Sequence, residues 1–254
     1  MLENDYLEGY RDPQAYDAED AGYVADIPLT EQLAQSHGGP ILDIACGTGT
    51  MAIYLAKQGY AVTGLDIIPE MTNWAAQKAI AQNVSVEWVL ADARAFHLGK
   101  QFTFITLLGN AFQHFLTRQD QEGLLACVRE HLQAEGCFLF VTRNPTPKNL
   151  AQARFTEPHE YTMPDGRRLV ATETQHYDAI TQIQHYTFHN QWFHPDGQHV
   201  EKTDYTALRY VFPQEMEALL YYNGFQIRAC YGDWQQTPLT ADSRSMIYVC
   251  QKSG

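Results

Sequence analysis

Asp43, Gly47, Gly49, Asp66 and Asp92 are the residues whose types and spacing promise chemistry. The run Leu42-Asp43-Ile44-Ala45-Cys46-Gly47-Thr48-Gly49-Thr50 lies where an apolar strand should turn into a helix. Glycines in such a turn let the backbone approach a ligand closely, and the helix start beyond them favours a negative group such as a carboxylate. Gly47, Gly49 and Ala52 also fit the dinucleotide spacing G-x-G-x-x-A, with Asp66 where a ribose-binding acid belongs. A glycine turn with no ligand is the plainest alternative. Asp43 weighs against a dinucleotide, because an ionised carboxylate beside the turn repels a pyrophosphate and attracts a cationic sulfonium. Ala91-Asp92-Ala93 adds a third polar group at the same sheet edge.

The elements that must position these residues alternate between strand and helix. Strands are expected at Ile41–Ala45, Ala61–Asp66, Val84–Leu90, Phe102–Leu108 and Cys137–Thr142. Helices are expected near Ile27–Gln35 and at Met51–Gln58, Pro69–Ala81 and Arg118–Leu132, with Ala134-Glu135-Gly136 ending the last. Continuous apolar strands between helices indicate a parallel sheet covered on both faces. The pattern changes after Asn144. Residues 167–211 read as three long strands joined at Asp178–Thr181 and at the turn His194-Pro195-Asp196-Gly197. A helix at Phe212–Tyr222 and strands at Phe225–Tyr231 and Met246–Gln251 complete the chain. The expected organisation is one α/β domain: residues 1–40 an N-terminal flap and helix, 41–145 the cofactor-binding core, 160–211 an antiparallel insertion, 212–254 the last helix and strands.

The 254 residues, 45% hydrophobic and 19% charged, suit one globular core. The formal net charge of −13 repels a phosphate backbone, so nucleic acid is not expected as a partner and a small molecule is. No apolar run approaches the roughly 18 residues of a membrane span, and the acidic, tyrosine-rich start does not resemble a signal peptide. Five cysteines without a C-x-x-C pair suggest free thiols in a reducing cytoplasm.

The segments ILDIACGTGT, VTGLDIIPEM, VLADARAF and FTFITLLGNAFQHFLT together resemble the first four motifs of class I S-adenosylmethionine (SAM)-dependent methyltransferases, in order and spacing, over residues 40–145. Ala45 stands where that family usually has glycine. The resemblance implies a Rossmann-like seven-stranded sheet with a three-stranded antiparallel insertion after strand five. It implies SAM as cofactor, with Asp43 and Gly47 lining its methionine end, Ala45 and Gly49 also in the cofactor site, and Asp66 accepting both ribose hydroxyls. It further implies Ile67 packed on adenine, Asp92 and Ala93 at the adenine edge, and Leu108 and Asn110 beneath the methionine moiety. The polar insertion is similar to those of small-molecule methyltransferases such as glycine N-methyltransferases and aminosugar N,N-dimethyltransferases, where it walls the substrate.

Methyl transfer asks a protein for proximity, alignment and water exclusion. His114, after the fourth strand, is a candidate to orient the acceptor or take its proton, with helix capping as the alternative. Arg143, after the fifth, is a candidate clamp for a substrate carboxylate or phosphate, with an internal salt bridge as the alternative. Tyr6, Tyr10, Tyr16 and Tyr23 suggest a flap closing over the cofactor. Trp192, Tyr210 and Trp234 are candidates for an aromatic wall. The histidines at 176, 185, 189, 194 and 199 read as solvated strand faces, and no metal site is expected. The function expected is methyl transfer from SAM to a nitrogen or oxygen of a small soluble metabolite. The alternatives are a non-catalytic SAM-binding regulator and an NAD(P) oxidoreductase.

Overall fold

The computed structural model describes residues 3–147, 150, 153–155, 157–163 and 165–253. The chain begins with a 3-10 helix at Glu3–Tyr10, helix α1 at Pro13–Glu19 and helix α2 at Ile27–His37. Asp12 starts α1 by accepting from the Ala15 N–H at 3.0 Å, and Pro13 occupies the first turn, where its missing N–H leaves nothing unpaired.

The core then alternates: β1 (Ile41–Ile44), α3 (Thr50–Lys57), β2 (Val62–Asp66), α4 (Pro69–Ala81), β3 (Glu87–Leu90), β4 (Phe102–Leu107), α5 (Arg118–His131) and β5 (Leu132–Arg143). After the insertion come α6 (Pro213–Tyr222) and two further strands, Phe225–Tyr231 and Ser245–Lys252. Within the insertion lie β6 (Ala153–Phe155), β7 (His159–Thr162), β8 (Arg168–Asp178), β9 (Ile183–Phe193) and β10 (His199–Arg209), so the two final strands are β11 and β12. Seven strands form the main sheet in the order β11-β12-β5-β4-β1-β2-β3. β1 to β5 run parallel, and β12 inserts antiparallel between β5 and β11.

Alternation along the strands divides the apolar core between two faces. Leu42, Ile44, Ile105, Phe138 and Phe140 pack with Leu124 and Val128 of α5 and Met216 and Leu220 of α6. Ile41, Phe104, Leu139 and Val141 pack with Leu29 of α2 and Met51 and Leu55 of α3. Phe138, Phe140 and Tyr248 stack in series, with successive ring centroids 5.0 Å apart. The expected Ala-Glu-Gly break before strand five is instead strand: α5 stops at His131 and β5 starts at once. Its ladder shifts register between Phe102 and Phe104, and Gly136 leaves room for the Leu132 side chain there.

The three long insertion strands are present with the expected turns. Two short strands, β6 and β7, add antiparallel pairing along the outer side of β8, so the insertion sheet has five strands and begins at 153 rather than 160. β7 is exposed along its length and carries no apolar alternation, which is why the sequence pattern did not mark it. Ala15 of α1 packs with Met163 and Leu169, so the N-terminal segment is bound to the insertion as well as to the main sheet.

Trp88 of β3 lies beneath the turn after β1. A methyl group on Gly49 would collide with its indole, and one on Gly64 would stand 2.5 Å from it and 3.1 Å from Cys46 Sγ. Gly64→Ala should therefore cost about 1–3 kcal/mol through overpacking, measured as a lower denaturation midpoint. An unchanged midpoint would mean that Trp88 shifts aside without loss.

Candidate functional site

The turn after β1 is held open in a left-handed conformation, with φ +51° at Ala45 and +54° at Gly47. Glycine adopts this region freely and alanine does so at a cost, which accounts for glycine as the usual residue at position 45 in the family resembled. The Gly47 N–H donates to Asp66 Oδ2 at 2.8 Å, and the Ile68 N–H donates to Asp66 Oδ1 at 2.9 Å. Asp66 thus ties the end of β2 to the turn after β1, and each of its oxygens keeps a lone pair for a ligand. Burial raises its carboxyl above the usual range, against those backbone bonds. Among the described residues, no atom beyond its two chain neighbours lies within 4 Å of where a Gly47 Cβ would stand. Beside Asp66, Ile67 is 45% exposed, unusual for an isoleucine at a strand end.

Asp43 is 3% exposed and faces Thr106 of β4, whose hydroxyl donates to it at 2.7 Å. Burial pushes its carboxyl up to about 7, helped by the nearby Asp26 and Asp66 charges, and no cation pairs with it among the described residues. Leu108 is buried after β4, and Asn110 takes φ +58° with its buried Oδ1 lacking a partner. A buried acid without a counter-charge, an orphaned amide oxygen and open space over Gly47 fit a compact ligand that is cationic and donates hydrogen bonds. The structure brings Asp43, Ala45, Gly47, Gly49, Asp66 and Ile67 together at the ends of β1 and β2, with Leu108 and Asn110 at the end of neighbouring β4. Asp92 and buried Ala93 follow β3, but Asp92 is engaged. The Arg94 guanidinium donates to it at 2.7 Å and to Asp120 at 2.7 Å, and this holds its carboxyl below the usual range.

At the β4 and β5 ends lie the two residues proposed for the acceptor. His114 ends a 3-10 helix at Ala111–His114, and its Nε2 is 3.2 Å from the Tyr10 hydroxyl, with the rings edge to face. Burial, with Arg143 nearby, pushes His114 down to about 4, so it is neutral at pH 7. No side-chain hydrogen bond or ion pair holds Arg143 among the described residues; its charge reaches Tyr10, His114, Glu173 and Tyr186. Asn144, by contrast, donates to the Ser243 carbonyl at 2.9 Å and pins the loop before β12.

Glu173 and Tyr186 were not singled out from sequence. The turn at 179–182 sets the β8–β9 register, pairing Gln175 with Tyr186 and Glu173 with Phe188, so all four share one face. Register arithmetic from that turn was the available signal. Trp192, Tyr210 and Trp234 do not form one wall. Trp192 packs with Ala15 and Leu169 under the Arg167 guanidinium, Tyr210 with Tyr177, and Trp234 bonds Tyr23 on another face. Among the described residues, the one group with metal-ligand proximity is His97, Glu130 and His131. Both His131 nitrogens are already bonded, to the Cys127 carbonyl and the Leu98 N–H, so it has no lone pair for an ion.

Residues 41–136 match the family of methyltransferase domains. A putative methyltransferase of Bacillus subtilis, YqeM, is 27% identical over 219 residues, 85% of each chain. Glycine/sarcosine N-methyltransferase of Aphanothece halophytica is 27% identical over 86% of this chain and 78% of its own. The CcbJ methyltransferase of Streptomyces caelestis shares the fold with a TM-score of 0.83 at 23% identity over the whole of both chains. SAM-bound CalS10, an amino pentose methyltransferase of Micromonospora echinaspora, gives 0.74 at 17% identity over 94% of this chain and 97% of that one. These matches favour the methyltransferase reading over the dinucleotide and non-catalytic alternatives: residues 41–136 form a methyltransferase domain, the whole chain shares the Rossmann-like fold of solved SAM-dependent methyltransferases, and it is an enzyme whose cofactor is SAM.

Proposed function

We propose that the protein methylates a nitrogen of a small, polar acceptor held between His114 and Arg143. The carrying observation is the half-buried, neutral His114 beside an Arg143 that makes no side-chain hydrogen bond or ion pair among the described residues. When bound, SAM supplies a methyl group activated on a sulfonium. Asp43 answers its positive charge, Asp66 its ribose hydroxyls and Ile67 its adenine face. Gly47 and Gly49 let the backbone come close, Ala45 shapes the turn, and Leu108 and Asn110 line the methionine side. An adenine edge near Ala93 must compete with Arg94 for Asp92. Tyr10 and Tyr16 roof the site and exclude water.

At about 4, His114 is too weak a base to strip an ammonium. It instead accepts a hydrogen bond from an acceptor that arrives neutral, and a neutral amine needs no strong base for methyl transfer. Arg143 fixes an anionic group on the same molecule. The glycine/sarcosine N-methyltransferase among the relatives and a sugar N-methyltransferase sharing the fold support nitrogen over oxygen. A hydroxyl acceptor is the second reading, favoured by Glu173, whose carboxyl burial raises. The net charge of −13 disfavours nucleic acid. Five free thiols fit a cytoplasmic setting, and among the described residues no helix is long and apolar enough to cross a membrane. A screen for S-adenosylhomocysteine (SAH) release with pools of amines and hydroxy acids separates the two acceptor classes.

With an acceptor in hand, His114→Gln and Arg143→Ala should lower methyl transfer while cofactor affinity stays within about threefold, under 1 kcal/mol. The pH–rate profile should follow the acceptor amine and show no inflection near the ordinary histidine value of ~6.5. An inflection there that vanished in His114→Gln would sink the assignment.

Asp43 gives a prediction independent of the acceptor. A carboxyl titrating at about 7 must ionise to meet a cation, so SAM affinity should rise with pH through that value. Calorimetry at pH 6 should find binding about tenfold weaker than at pH 8. Asp43→Asn should bind weakly and lose that dependence. Equal, strong affinity in the variant at both pH values would remove Asp43 from the cofactor seat.

A further inference from the structure

One carboxylate joins helix α1 to both walls of the cofactor crevice. Asp17 Oδ1 accepts from the Thr48 hydroxyl at 2.6 Å, and Oδ2 accepts from the Trp74 indole N–H at 2.7 Å. Lys78 Nζ lies 2.9 Å from each oxygen and also donates to Thr48 Oγ1 at 3.1 Å. Thr48 sits between the two glycines of the turn after β1. Trp74 and Lys78 sit on α4, the helix that follows Asp66. Burial alone would raise the Asp17 carboxyl, but the bonds from Thr48, Trp74 and Lys78 outweigh it and hold the group below its usual range.

The helix carrying Asp17 also reaches the far side of the crevice. Tyr16, the preceding residue, has its hydroxyl 3.9 Å from the Cβ position of Gly109, at the end of β4, and it feels the Asp66 charge. Tyr10, upstream of α1, meets His114. The segment from Tyr10 to Asp17 therefore spans from the turn after β1 to the end of β4, within reach of the Asp66 charge.

We infer that Asp17 is a positioning residue, the clasp of a lid. Its bonds to Thr48, Trp74 and Lys78 hold α1 closed over bound cofactor and keep Tyr10 at His114, and cofactor exchange waits on their breaking. The inference rests on the cofactor seat described above and is independent of the acceptor. Charge-assisted bonds of this length are among the stronger polar contacts, and three partners on one carboxylate act as a unit.

The test uses the full chain with SAH as probe. In stopped-flow displacement, Asp17→Ala should release SAH at least about tenfold faster, equivalent to about 1.4 kcal/mol. Backbone amides of 14–19 should exchange hydrogen faster in the variant, both free and SAH-bound, while those of β4 and β5 keep their wild-type rates. Lys78→Met should act in the same direction, and the double variant should be no faster than Asp17→Ala. Thr48→Val, a smaller change, gives the same reading if Asp17→Ala fails to fold. Release within twofold of wild type, with unchanged exchange in α1, would overturn the clasp. So would loss of SAH binding with α1 exchange unchanged, because Asp17 would then belong to the seat and not to a lid. Failure of the seat itself is read separately, from full SAH affinity in Asp43→Asn.

Discussion

A carboxylate buried without a cation is the constraint around which this protein is arranged. Asp43 lies inside a parallel sheet, where an isolated charge is costly, and its one strong side-chain bond comes from Thr106 on the adjacent strand. The β1–β4 pairing that sets Asp43 opposite Thr106 also sets the glycine turn beside Asn110 and His114. The same register thus places a buried carboxyl, an open backbone turn and the side chains proposed for the acceptor at one edge. On the reading proposed above, a cationic cofactor would complete the electrostatics that the fold leaves unfinished.

Much of this arrangement was legible in the sequence because it rests on local signals. Apolar runs of four to six residues at β1, β2 and β4 identify buried parallel strands, and the acids at their ends follow from position alone. Asp66 illustrates the limit of such reading: its place was evident, but its role in bracing Gly47 depends on a backbone contact nineteen residues away in sequence. Asp92 shows another limit, because its occupation by Arg94 depends also on Asp120, supplied by a distant helix. The short strands β6 and β7 have no apolar rhythm to betray them. Nor did Trp192, Tyr210 and Trp234 converge, since shared residue type carries no information about shared location.

The proposed acceptor side draws on three stretches of chain far apart in sequence. Tyr10 comes from the start, His114 and Arg143 from the core, and Glu173 and Tyr186 from the insertion. The main sheet supplies rigid anchors for the first two candidates. The insertion supplies a face whose polar side chains alternate with those pointing to solvent. The N-terminal segment lies against both, through Ala15 and Leu169 on one side and Asp17 on the other.

Trp88 links two positions of very different apparent purpose. Its indole fills the space that side chains at 49 and 64 would otherwise take, so one glycine belongs to the ligand turn and the other to a central strand only by appearance. In an evolving lineage positions 64 and 88 form a single inherited unit. A smaller residue at 88 would open room for a side chain at 64, whereas Gly49 would still resist one, because its φ of +76° strains any other residue and Ala75 stands 2.9 Å from its Cβ position. Drift at 64 should therefore follow loss of the aromatic, while 49 stays fixed by its own backbone.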